Sequence, residues 1–72
     1  MKNRIRVLRA EKGWTQAELA SRVGVSRNSI NAVENGKFDP SLPLAFSIAD
    51  TFGLTIEDVF LRHEVPAPVG DE

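Results

Sequence analysis

Seventy-two residues without a cysteine hold one small domain, which no disulfide can staple and which shows no cluster of metal ligands, so its stability must come from close helix packing and from area buried against a second subunit. A hydrophobic share of 42% excludes wholesale disorder, and no apolar run approaches the ~20 residues that span a bilayer. The net charge of −1 conceals a division: residues 1–38 carry eight basic and three acidic side chains, residues 39–72 one basic and seven acidic, so the chain is either built to turn a basic face to phosphate or has a chance asymmetry on a solvated surface.

The opening Met-Lys-Asn-Arg leads into charged residues rather than an apolar signal segment, which makes a cytoplasmic protein the expectation. A first helix is predicted over 3–12, with Ile5 and Leu8 on one face and Gly13 as its stop. Thr15-Gln16-Ala17-Glu18 reads as a capping box that starts a second helix, which Gly24 ends. Only Val25 separates Gly24 from the next cap, Ser26, so two helices must meet at a sharp turn with Val25 plugging the gap. The third helix is predicted over 27–35, with Ile30 and Val33 inward and Gly36 closing it.

Ser41 caps a fourth helix that tolerates Pro43 in its first turn and stops at Gly53. Thr55 caps a short fifth helix, where Glu57 and Asp58 favour the positive end. Residues 60–65 are candidates for a short strand against residues 2–5. The chain divides into a domain over 1–65, its helix-turn-helix at about 15–36, and a flexible acidic tail over 66–72.

Taken together, Trp14-Thr15-Gln16-Ala17-Glu18-Leu19-Ala20, Val23-Gly24-Val25-Ser26, Ile30, Glu34-Asn35-Gly36 and Pro40-Ser41 resemble, in order and spacing, the phage-repressor-like (Xre/Cro-type) helix-turn-helix family. The resemblance covers about residues 5–60. It implies an all-α, five-helix, lambda-repressor-like DNA-binding domain, with double-stranded DNA as partner. It also implies roles. Gln16 matches the family's phosphate-contacting residue, and Asn35 matches a second. Arg27 and Asn28, with Ser29 beside them, match the residues that reach base edges. Ala32, with Asn31 adjacent, matches a further base reader, although family members carry a long polar side chain there. Arg9 and Glu34 match an ion pair that ties helix one to helix three.

The residue chemistry agrees with these roles. Helix N-termini offer unpaired amides to phosphate, and Thr15, Gln16, Ser26 and Arg27 lie at such ends. Arg27 suits guanine O6 and N7, Asn28 suits adenine N6 and N7, and the Ala32 methyl suits a thymine methyl. Lys37 and Arg4 are either phosphate attractors or ordinary solvent-facing charges. Trp14 either packs at the junction of helices one and two or stacks near the DNA backbone.

Ser26, Ser41 and Thr55 are explained as caps and no nucleophile has a general base, so no enzyme is expected. His63 has no partners at ligand spacing, and neither metal nor cofactor is expected. Phe60, Leu61 and Val65 either form a homodimer surface or close the core. The functional expectation is a repressor that binds a near-palindromic operator as a homodimer, with a protein-binding antitoxin as the alternative.

Overall fold

Apolar side chains at helical spacing converge from all five helices on one core. A computed structural model describes residues 2–61, and the chain runs through strand β1 (Lys2–Asn3), helices α1 (Ile5–Lys12), α2 (Gln16–Val23), α3 (Arg27–Glu34), α4 (Leu42–Phe52) and α5 (Ile56–Val59), and strand β2 (Phe60–Leu61). Ile5, Leu19, Ile30, Val33, Ile48 and Val59, one or two from each helix, form the centre of that core. Burying each contributes roughly 1.5–3 kcal/mol relative to exposure. Trp14 extends the core at the α1–α2 junction, where its ring stacks on Phe52 of α4 at 5.5 Å between centroids. The Arg22 guanidinium lies 4.3 Å from the same ring centroid. No helix among the described residues is long and apolar enough to cross a membrane.

The helix starts follow local chemistry. Thr15, Ser26, Ser41 and Thr55 each accept a hydrogen bond from the third amide of the helix they cap. The box expected at Thr15 forms only halfway. Glu18 donates its amide to Thr15, but its carboxylate is engaged one turn on by Arg22, at 3.1 Å. The complete reciprocal box is at Thr55, where the Asp58 carboxylate accepts from the Thr55 amide at 3.2 Å.

The first helix starts at Ile5, later than expected, because Asn3 is used elsewhere. Asn3 pairs with Phe60 in an antiparallel two-stranded sheet, with Lys2 opposite Leu61. Its Oδ1 accepts from the Ile5 amide at 3.1 Å, and its Nδ2 donates to the Val33 carbonyl at 2.9 Å. The terminal strand expected over 60–65 is therefore observed as Phe60–Leu61, while 62–65 lie outside the described residues, as do His63, Val65 and the acidic tail. Phe60 corrects one expectation. It is 5% exposed and belongs to the core, so its side chain is not an open dimer surface. Helix α3 ends at Glu34, one residue early: Asn35 is its cap, and the Lys37 amide bonds back to the Ala32 carbonyl at 3.0 Å.

Gly24 makes the α2–α3 turn possible. Its φ of +92° lies in the left-handed region, and both its own amide and that of Val25 return to the Ala20 carbonyl, at 2.8 and 3.0 Å. Val25 is half-buried against the core, as its place in the turn demands.

An ion pair then fixes α1 against α3. Arg9 donates Nε to Glu34 Oε1 at 3.0 Å and Nη2 to Oε2 at 2.9 Å, a two-pronged fit, and its Nη1 donates to the Trp14 carbonyl at 2.9 Å. The Glu34 side chain is 1% exposed and that of Arg9 16%. This is not the exposed pair worth ~0–1 kcal/mol; losing one partner moves toward the ~3–5 kcal/mol of a broken buried pair. Burial pushes the Glu34 carboxyl up, but hydrogen bonds from Arg9 and Arg6, the Arg9 charge and a hydrogen bond from Gln16 outweigh it and hold the group below its ordinary value. The hydrogen bond to Glu34 holds the Arg9 guanidinium above its own ordinary value, against burial and with the Glu34 charge adding.

Two stability predictions follow from the turn and the pair. Gly24→Ala meets no atom within 4 Å of the new Cβ, so it is expected to lose only the ~1–2 kcal/mol of a left-handed L-residue, read as a lower denaturant midpoint at unchanged slope. A depressed carboxyl in the folded state stabilises at neutral pH and stops doing so as pH falls from about 4.3 through the folded value. Glu34→Gln is thus expected to be markedly less stable than wild type at neutral pH, with a gap that narrows in acid; parallel stability curves across the acid range would refute the assignment.

Candidate nucleic-acid interface

The tight α2–α3 turn brings two helix N-termini to one side of the molecule. The start of α2 presents Thr15 and Gln16, and the start of α3 presents Ser26, Arg27 and Asn28. Thr15, Ser26, Arg27 and Asn28 are exposed and Gln16 is half-buried. Arg9, Trp14, Thr15, Gln16 and Arg27 line one open cleft, so Arg27 stands beside Gln16 rather than across the molecule from it. The cleft combines the exposed Arg27 guanidinium with the unpaired first-turn amides of α2, the ingredients for holding an anion, while the Arg9 guanidinium in its wall is committed to Glu34 and the Trp14 carbonyl.

Along α3, Asn31 is exposed, while Ser29 and Ala32 are half-buried. The Ser29 hydroxyl is 3.0 Å from that of Ser26, and the Ser29 amide donates to Ser26 Oγ at 3.1 Å, so Ser29 is partly committed to the cap. Asn35 and Lys37 are exposed just past the far end of the helix. The residues that the sequence nominated for DNA thus form a band along α3 and the N-terminus of α2.

Polar side chains cross-link this band. Asn31 Nδ2 donates to Gln16 Oε1 at 3.3 Å, and Asn35 Nδ2 donates to Asn31 Oδ1 at 3.2 Å. Arg6, which sequence reasoning passed over, donates Nε to Glu34 Oε2 at 3.1 Å and Nη2 to Asn35 Oδ1 at 3.4 Å. One signal could have found it: Arg6 lies three residues before Arg9, on the same face of α1.

On the opposite chemical theme, Pro40, Leu42, Ala45, Ile56 and Leu61 surround an apolar groove with Phe60 in its lining. Leu42 is 64% exposed at its side, and Phe46, one turn along α4, is exposed as well.

Known proteins show the same design. The model of the helix-turn-helix family matches residues 5–59. An uncharacterized HTH-type transcriptional regulator of Methanocaldococcus jannaschii is 54% identical over 64 residues, which cover 89% of this chain and 97% of that protein. The restriction-modification controller protein C.AhdI of Aeromonas hydrophila superimposes with a TM-score of 0.72 at 31% identity, over 76% of this chain and 83% of that one. The DNA-binding domain of the P22 c2 repressor superimposes with a TM-score of 0.70 at 26% identity, over 75% of this chain and 71% of that one. The chain spans 53% of the longer chain it matches in the SinR/SinI complex. With the five-helix fold and the family match over most of its length, the chain belongs to the phage-repressor-like helix-turn-helix family of transcriptional regulators.

Proposed function

We propose that this regulator binds DNA sequence-specifically, as a homodimer on a near-palindromic operator, and represses by occupying promoter DNA. One observation carries the reading: Arg27 and Asn28, at the leading end of α3, are exposed, and Arg27 adjoins the Gln16 end of α2. An exposed helix end with an anion-holding cleft beside it suits major-groove entry between phosphates. The repressor role draws support from the likeness to the P22 c2 repressor domain.

In this reading Arg27 pairs with guanine, Asn28 with adenine, and Asn31 reads the next turn, flanked by the Ser29 hydroxyl and the Ala32 methyl. Thr15, Gln16, Ser26, Asn35 and Lys37 hold phosphates and set register. A single domain of this size buries a modest interface, so selectivity calls for two copies. A two-fold dimer would set two α3 helices ~34 Å apart on successive turns of the major groove. The apolar groove supports that assembly: a two-fold interface must fit itself, and here a hole lined by Leu61 and Ile56 stands next to the projecting Leu42. The surface offered is thus Leu61 with α4 and α5, and Phe60 contributes from beneath; Val65 lies outside the described residues.

Binding to sites selected from random DNA is expected to yield a palindrome and to weaken steeply as salt rises, because phosphate contacts release counterions. Arg27→Ala or Asn28→Ala is expected to cost ~1–3 kcal/mol at one base pair each and to relax selectivity there. Gln16→Ala should instead weaken all sequences alike. Equal binding to selected and random DNA would refute the reading and favour the protein-binding antitoxin role. Leu42→Asp, an acid at the first position of α4, should leave folding intact, convert the dimer to monomer in sedimentation, and lower operator affinity; an unchanged sedimentation profile would exclude the groove as the dimer surface.

A further inference from the structure

Four side chains from α1, α2, α3 and its cap form a chain of hydrogen bonds. Arg6 donates to Asn35, Asn35 to Asn31, and Asn31 to Gln16. Arg6 also donates to the Glu34 carboxylate, which anchors the start of the chain. The polarity of the chain is set at that start. A guanidinium only donates, so Asn35, Asn31 and Gln16 in turn have their oxygens toward the Arg6 side. Turning over Asn35 or Asn31 breaks two bonds at once. After its two bonds in the chain, the Asn31 amide retains one N–H and one oxygen lone pair for a base edge.

We propose that Arg6 is a positioning residue for base selection: anchored on Glu34 and acting through Asn35, it fixes how Asn31, whose amide also bonds to Gln16, presents itself to DNA. The proposal rests on the reading of α3 as the recognition helix. It assigns Arg6 a role that its exposure disguises. Its side chain is 73% exposed, as a plain phosphate attractor's would be, yet two of its nitrogens are committed to Glu34 and Asn35. Lysine separates the two roles. It keeps the charge that attracts phosphate, but a single ammonium group lacks the planar fork that joins a carboxylate to an amide.

The experiment uses the full chain and its selected operator, with a panel of single-base variants at fixed salt. Wild type, Arg6→Lys, Asn31→Ala and the double variant are compared, and the base pair whose preference Asn31→Ala abolishes marks the position that Asn31 reads. Arg6→Lys is expected to keep wild-type affinity for random DNA and wild-type salt dependence, yet lose about fivefold in selectivity at that base pair and none where Arg27 and Asn28 read. In the Asn31→Ala background the lysine should have no further effect. Side-chain amide NMR signals of Asn31 and Asn35 should shift in free Arg6→Lys, while thermal stability stays at the wild-type level. Selectivity and amide signals unchanged by Arg6→Lys would overturn the proposal. So would an Arg6→Ala variant that loses affinity for all sequences alike and is rescued by lysine, since Arg6 would then be a phosphate contact. Wild-type protein without any base preference would overturn the DNA reading itself, and this inference with it.

Discussion

A carboxylate withdrawn from water must be matched by donors or it neutralises, and Glu34 meets that demand with two arginines of α1. The rest of the architecture is organised around it. Arg9 locks α1 to the C-terminal end of α3 and simultaneously holds the Trp14 carbonyl where α1 gives way to α2. A single buried charge therefore fixes the relative placement of the three helices that frame the candidate DNA surface. In a domain with so small an apolar core, a directional bond of this kind specifies an angle between helices that non-directional packing of leucine and isoleucine leaves looser.

The turn between α2 and α3 works at a different scale. Gly24 supplies a backbone state, Val25 an apolar plug and Ser26 the next cap, all within three residues. Because so little chain separates the helices, their N-termini are held at one distance, and the cleft between Gln16 and Arg27 is a product of that shortness. Packing then anchors both helices from below, through Leu19, Ile30 and Val33.

Features encoded over a few residues were legible in the sequence. Every expected cap residue caps, and the turn is where Gly24 and Ser26 put it. The exceptions are local rules with two claimants. Glu18 can serve Thr15 or Arg22, and its spacing allows both. Asn3 fits a helix start, but its pairing with Phe60 depends on a residue at the far end of the domain. Phe60 and Leu61 alternate across a strand, so adjacent apolar residues meet different surroundings, one in the core and one half-exposed. A residue-by-residue reading of apolar character does not separate these. The candidate DNA residues were legible because the family's spacing carries them, whereas Arg6 was not: its partners are set by how α1 crosses α3.

The short sheet reaches further than its size suggests. Asn3 pairs with Phe60, and its side chain also donates to the Val33 carbonyl in the last turn of α3. Residue 3 is thus a bracket that touches the opening segment, the closing segment and the last turn of α3. Any load applied at the front of the polypeptide, from a fused tag or an added arm, is transmitted straight to the element that would lie against DNA.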